Sequence, residues 1–201
     1  MRSSNAKRSA GFTLYELMLV LAIAAVMFGL AIPNMRQFIW NNRMTSTAND
    51  LLTAVYRARS ESVKRHTQTI LCFSADWQAD EPACDGDGSQ GWVVFADTDG
   101  SGAADKDEEV LLRHGPIPDT IRLTSLPDDN AGYVAFNNAG FARNIVLGQA
   151  LVGVVMCDQR GNTATTSADY SAARGVTISP TGRPRVTRVV QTIDDELGGC
   201  P

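Results

Sequence analysis

Histidine is nearly absent from this 201-residue chain, which has only His66 and His114, and its four cysteines form no C-x-x-C pair or Cys/His cluster. Zinc sites are built from such clusters, so the pattern argues against a zinc centre. No G-x-S-x-G elbow and no P-loop occurs, and neither histidine has a motif partner. The expectation is a protein that is not an enzyme and needs no cofactor. Helical and extended patterns do not alternate along the chain, which argues against a parallel nucleotide-binding sheet. No internal repeat is visible. Acidic residues are numerous, yet none lies between Tyr170 and Ile193.

What is present suffices for one ordinary domain: 44% of residues are hydrophobic, and the formal net charge is -4. That charge is unevenly spread. Residues 67–201 hold nine basic and nineteen acidic groups, and eleven of those acids fall between Asp76 and Glu109. Such a body repels polyanions except where arginines gather and acids are missing. The stretch P-T-G-R-P-R-V-T-R, Pro180 to Arg188, is such a place, with Arg174 shortly before it.

Four cysteines in a chain that reads as exported point to disulfides. Three pairings are possible. The favoured one joins Cys72 to Cys84, closing a local loop, and Cys157 to Cys200, fastening the C-terminal tail and steadying the arginine segment.

Residues 1–11 carry Arg2, Lys7 and Arg8 and no acid, and Leu17–Ile32 is an apolar run of sixteen residues. Counted from Phe12, a helix here would be roughly 32 Å long, enough to span a bilayer core. No small-residue cleavage site follows the run, as it would after an ordinary secretory signal. Glu16 stands out, because an unpaired carboxylate in hydrocarbon costs on the order of 3 kcal/mol or more. It lies at the interface or awaits a positive partner. Gly11-Phe12-Thr13-Leu14-Tyr15-Glu16 and the run behind it strongly resemble the prepilin leader and N-terminal helix of type IV pilins and type II secretion pseudopilins. The resemblance implies a leader 1–11 cut after Gly11 by a prepilin peptidase, N-methylation at Phe12, and a transmembrane and assembly helix over 12–33. It further implies that Glu16 meets the Phe12 amine of a neighbouring pilin subunit. The chain would sit in the bacterial inner membrane with its globular part periplasmic, then join a cell-surface filament.

Pro33 lacks an amide hydrogen and is expected to kink or interrupt the helix. An amphipathic continuation is expected over 34–66, where Ala48, Leu51, Val55, Ala58 and Ser62 recur at helical spacing and Leu52 and Val63 widen the stripe. Arg57, Arg59, Lys64 and Arg65 read as its solvated face, with a lesser claim on anions. Over 67–201 short strands are expected at Thr69–Phe73, Gly91–Ala96, Glu109–His114, Thr120–Thr124, Tyr133–Phe136, Asn144–Leu147, Val152–Cys157, Val176–Ser179 and Arg185–Val190. The fold class is α+β, a long N-terminal α-helix packed on antiparallel β-sheet, which is also the type IV pilin-like fold.

Gly91–Arg113 looks like the Asp- and Gly-rich hairpin of FimT- and GspH-type minor pilins. Asp97, Asp99, Ser101, Gly102, Asp105 and Glu108 also occupy calcium-loop spacings. The flanks read as strands, and Ser101 stands where Asp or Asn is usual, so a solvated acidic turn is favoured and calcium is the lesser reading.

Proline and glycine in Pro180–Pro184 suggest a hairpin tip. Pro184 pushes Arg183 toward an extended conformation, which places Arg183 and Arg185 as a fork for phosphate oxygens. Gly182 offers an open backbone N–H. No aromatic lies within the loop, so base stacking is not expected. G-R-P-R, Gly182 to Arg185, matches the G-R-x-R motif of the FimT-type minor pilins of natural transformation, where it is tied to DNA. The resemblance implies non-specific DNA binding through Gly182, Arg183 and Arg185; Arg188 and Arg174 are added on charge alone. GspH-type pseudopilins share the domain without that task, so a structural subunit of type II secretion, or of the pilus tip, is the alternative.

Overall fold

The computed structural model describes residues 12–126, 132–143, 153–165 and 169–200. The leader 1–11, the strand expected at Asn144–Leu147 and the first residue of the Val152–Cys157 strand lie outside these residues. By contact the chain divides into two units, Met1–Trp40 and Asn41–Pro201.

Helix α1, Leu14–Arg65, opens on a reciprocal cap. The Thr13 hydroxyl accepts from Glu16 N at 3.2 Å, while Thr13 N donates to Glu16 Oε2 at 2.9 Å. This T-x-x-E capping box satisfies two backbone donors that would otherwise be orphaned. The interruption expected at Pro33 does not occur, since a proline removes one ladder bond and the flanking turns keep theirs. The helix ends at Arg65, and His66 follows in the left-handed conformation with φ 55°.

In the first unit many large apolar side chains are exposed, from Phe12 at 87% through Phe28 at 65% to Phe38 at 60%. Among the described residues no helix is long and apolar enough to cross a membrane. The transmembrane reading of 12–33 is not supported by this helix.

The second unit has two antiparallel sheets. The first contains β1 (Gln68–Phe73), β2 (Trp92–Asp97), β3 (Val110–His114), β5 (Val134–Phe136) and β6 (Ala142–Arg143) in the order β3-β2-β1-β5-β6. The second contains β4 (Arg122–Leu126), β7 (Gly153–Cys157), β8 (Tyr170–Ile178) and β9 (Pro184–Val189) in the order β4-β7-β8-β9. The period of two sorts their side chains. Leu71, Phe73, Val94, Val154, Met156 and Val176 join Ala48, Leu51, Val55 and Ala58 of α1 in one core. Ser62 is buried with that stripe, whereas Val63 is 44% exposed and does not widen it.

The outward face of each sheet has its own cover, and each cover is stapled by a disulfide. Cys72–Cys84 fastens the loop that lies with Ile70, Val93 and Phe95. Cys157–Cys200 fastens the segment that carries α2, Val190–Leu197, whose Ile193 and Leu197 pack on Val155 and Ala173. These are the two favoured pairings. Helix α2 corrects the sequence reading, which ended its last strand at Val190. Strand β8 begins at Tyr170 rather than Val176: Ala172, Ala173 and Gly175 are poor strand formers, but Ala173 and Gly175 lie where α2 packs and small residues fit beneath it. A Cβ on Gly175 would meet Leu197 Cδ1 at 2.4 Å.

Candidate nucleic-acid interface

The β8–β9 hairpin pairs Ile178 with Pro184 and Thr177 with Arg185, which leaves a turn over Ser179–Arg183. The turn is bonded to itself: Gly182 N donates to Ser179 O at 2.8 Å, Ser179 N to Arg183 O at 3.1 Å, and Arg183 N to Ser179 Oγ at 3.2 Å. Its tip is also docked, for Ala142 N donates to Pro180 O at 3.1 Å. Gly182 is buried at φ 73°, and a Cβ there would lie 2.2 Å from Gly140 O. Its amide is therefore committed to the turn, and the expectation of an open N–H for phosphate is not met. Glycine is required for the docking itself.

Docking brings the hairpin to α1. Arg183 and Arg185, both exposed, line a recess of about 450 Å³ together with Tyr56, Arg59, Ser179 and Pro184. No carboxylate lines it, and among the described residues neither Arg183 nor Arg185 makes an ion pair. Arg59 Nε donates to Gly140 O at 3.1 Å, which fixes its guanidinium beside the docked turn. The neighbouring helix bases Arg57, Lys64 and Arg65 are occupied. Glu61, nearly buried, takes Arg65 at 2.9 Å, Lys64 at 3.1 Å and Arg57 at 3.7 Å, and Arg65 also reaches Glu109 at 2.7 Å. Hydrogen bonds from Arg65 and then Lys64 hold the Glu61 carboxyl below the usual carboxylate range. Arg59 thus moves from a solvated face to the site. Tyr56 was missed; its spacing of three from Arg59 on one helix was the available signal.

Two sequence nominees lie outside the recess. Arg174 is 3% exposed, and its guanidinium donates to Ala172 O and Ala173 O at 2.9 Å and reaches Thr45 Oγ1 at 3.4 Å. Burial pushes it down to about 10, so it stays charged at neutral pH, but it has no face for DNA. Arg188 is absent from the recess; its guanidinium lies 5.8 Å from the Tyr170 ring centroid and 3.5 Å from Ser171 O.

In the acidic turn, ligand oxygens of Asp97, Asp99 and Glu108 lie within 4.8 Å of one another. Ser101 and Asp105 bond each other at 3.1 Å. Backbone donors occupy much of the set: Gly100 N and Gly102 N bond Asp97, Ser101 N bonds Asp99, and Thr98 N bonds Glu108.

A family model for the type II transport protein GspH matches residues 47–182. The chain belongs to the GspH family. The prokaryotic N-terminal methylation motif matches residues 6–32. A curated relative, the pilin-like protein PilA1 of Thermus thermophilus, is 32% identical over 123 residues, covering 60% of this chain and 69% of its own length. Among solved structures, the type IV minor pilin FimU of Pseudomonas aeruginosa aligns at TM-score 0.49 and 15% identity, over 74% of this chain and 91% of that one. The minor pseudopilin EpsH from the type 2 secretion system of Vibrio cholerae aligns at 0.46 and 9%, over 73% and 97%. Family and relative together make this chain a pilin-like protein of the GspH type. The methylation motif covers Phe12 and Glu16, while Gly11 lies outside the described residues. The Glu16 carboxylate accepts from both the amide and the hydroxyl of Thr13 at 2.9 Å.

Proposed function

We propose that this GspH-type subunit captures extracellular DNA on a type IV pilus for uptake in natural transformation. The observation that carries the reading is the recess in which Arg59, Arg183 and Arg185 meet without a carboxylate, on a chain of net charge -4. Guanidinium suits phosphate oxygens, and a cluster set in an acidic surround attracts a polyanion only there. The family match ends at Gly182, so Arg183 and Arg185 stand on their own chemistry. Other subunits cover the exposed apolar side chains of the N-terminal helix during assembly, after prepilin peptidase has cut behind Gly11, and the inner membrane covers them before it.

The test is duplex binding by the full chain in detergent across a salt series. Non-specific binding that falls steeply with salt is expected. Arg183→Gln with Arg185→Gln should weaken binding and lower the salt slope by about 2. Unchanged binding in that double variant would assign the arginines to subunit contacts. The type II secretion pseudopilin would then be the better reading, and the GspH family description already favours it.

A further inference from the structure

We infer that Tyr56 is a stacking wall of the arginine recess, so that the site takes single-stranded DNA with an unpaired base in preference to an intact duplex. This rests on the DNA reading above and adds to it which form of DNA the recess selects. Tyr56 is 49% exposed, and it lines the recess with Arg59, Arg183 and Arg185. The turn Ser179–Arg183 carries no aromatic of its own; the ring arrives from α1 because the turn docks at Gly140. A recess of about 450 Å³ lies within the range of about 300–1,000 Å³ typical of small-molecule pockets, where a flat backbone-tracking surface needs no such concavity.

The chemistry separates the two forms of DNA. A duplex offers its phosphates to the guanidiniums, but its bases are paired and stacked out of reach of the phenol. A single strand offers both, and base–aromatic stacking tolerates any sequence because every base has a π-face. Arg59 is already clamped by Gly140 O at 3.1 Å, so one guanidinium needs no ordering when the strand arrives.

The experiment compares a labelled oligothymidylate with a blunt-ended duplex of equal length, by fluorescence anisotropy, on the full chain in detergent. The wild-type chain is expected to hold the single strand more tightly. Tyr56→Ala should weaken single-strand binding about five- to hundredfold and duplex binding by much less. Tyr56→Leu, which keeps helix propensity and apolar bulk, should behave like the alanine variant, and Tyr56→Phe should behave like wild type. Arg183→Gln with Arg185→Gln should weaken both probes. If the alanine and leucine variants lose nothing on the single strand, or lose equally on both probes, the stacking wall is overturned while the DNA reading survives. If wild type binds neither probe, the DNA reading itself fails.

Discussion

The two charged turns of the globular unit solve opposite problems with the same backbone devices. The acidic turn between β2 and β3 gathers carboxylates and spends its own amides on them, so Asp97 receives Gly100 N and Gly102 N while Glu108 receives Thr98 N. The arginine turn between β8 and β9 spends its amides on itself and on Ser179, leaving the guanidiniums outside the bonding. One turn closes over its charge and the other displays it. The difference lies in donors: a carboxylate can be satisfied by nearby N–H groups, whereas a guanidinium needs acceptors, and a turn offers few spare carbonyls.

The largest effect that would sharpen this comparison comes from the staples beneath the two sheets. Chain entropy predicts a loss of about 4 kcal/mol for Cys157→Ser with Cys200→Ser, which opens a separation of 43 residues, and about 3 kcal/mol for Cys72→Ser with Cys84→Ser, which opens one of 12. Denaturant unfolding without reductant measures both, and only the first pair is expected to diminish DNA binding, because it anchors the segment behind the arginine hairpin.

A glycine in each turn gives the next contrast. Gly182 and Gly100 have nearly the same φ, 73° and 78°, but a Cβ on Gly182 meets Gly140 O at 2.2 Å while one on Gly100 meets nothing within 4 Å. Gly100→Ala should cost about 1 kcal/mol from the left-handed backbone alone. Gly182→Ala should cost about 3 kcal/mol, since the overlap adds to the strain, and should undo the recess with every arginine intact. Equal costs would mean that the arginine turn is not docked.

Glu61 holds three helix bases away from the recess. Its pKa is lowered in the folded state, so the stability it contributes is present above its ordinary value of 4.5 and is lost as the pH falls through the folded value. Glu61→Gln is expected to cost about 1 kcal/mol near pH 7, with the gap closing on acidification. A gap that persists in acid would point to packing rather than charge. Smallest of all is the stability effect of Arg183→Gln with Arg185→Gln, expected near zero because the two exposed side chains make no ion pair among the described residues.

Much of the fold was legible because local chemistry and burial agree. The stripe Ala48, Leu51, Val55, Ala58 is helical in spacing and buried in fact. Strands β1 and β2 combine β-branched and aromatic residues and sit centrally in their sheet. Strand β8 was half missed because Ala172, Ala173 and Gly175 are poor strand formers, and the need for a small residue shows only once Leu197 is placed above Gly175. Helix α2 had only Ile193 and Leu197 to signal it, four residues apart. In the site, Arg183 and Arg185 could be picked out from charge, whereas Arg174 lies in the same acid-free window and is buried at 3%. Charge counting cannot tell a displayed guanidinium from one bonded to carbonyls.

From the residues alone came the long helix with its buried stripe, the short strands, the favoured cysteine pairs and the collection of arginines in an acid-free stretch. Each of these follows from properties of neighbours in the chain. Only the tertiary structure decided that Tyr56 and Arg59 join Arg183 and Arg185, that Gly182 works by docking on Gly140, and that Arg174 is hidden. Those outcomes depend on which distant surfaces close-pack, and close packing is a property of three-dimensional shape rather than of residue type.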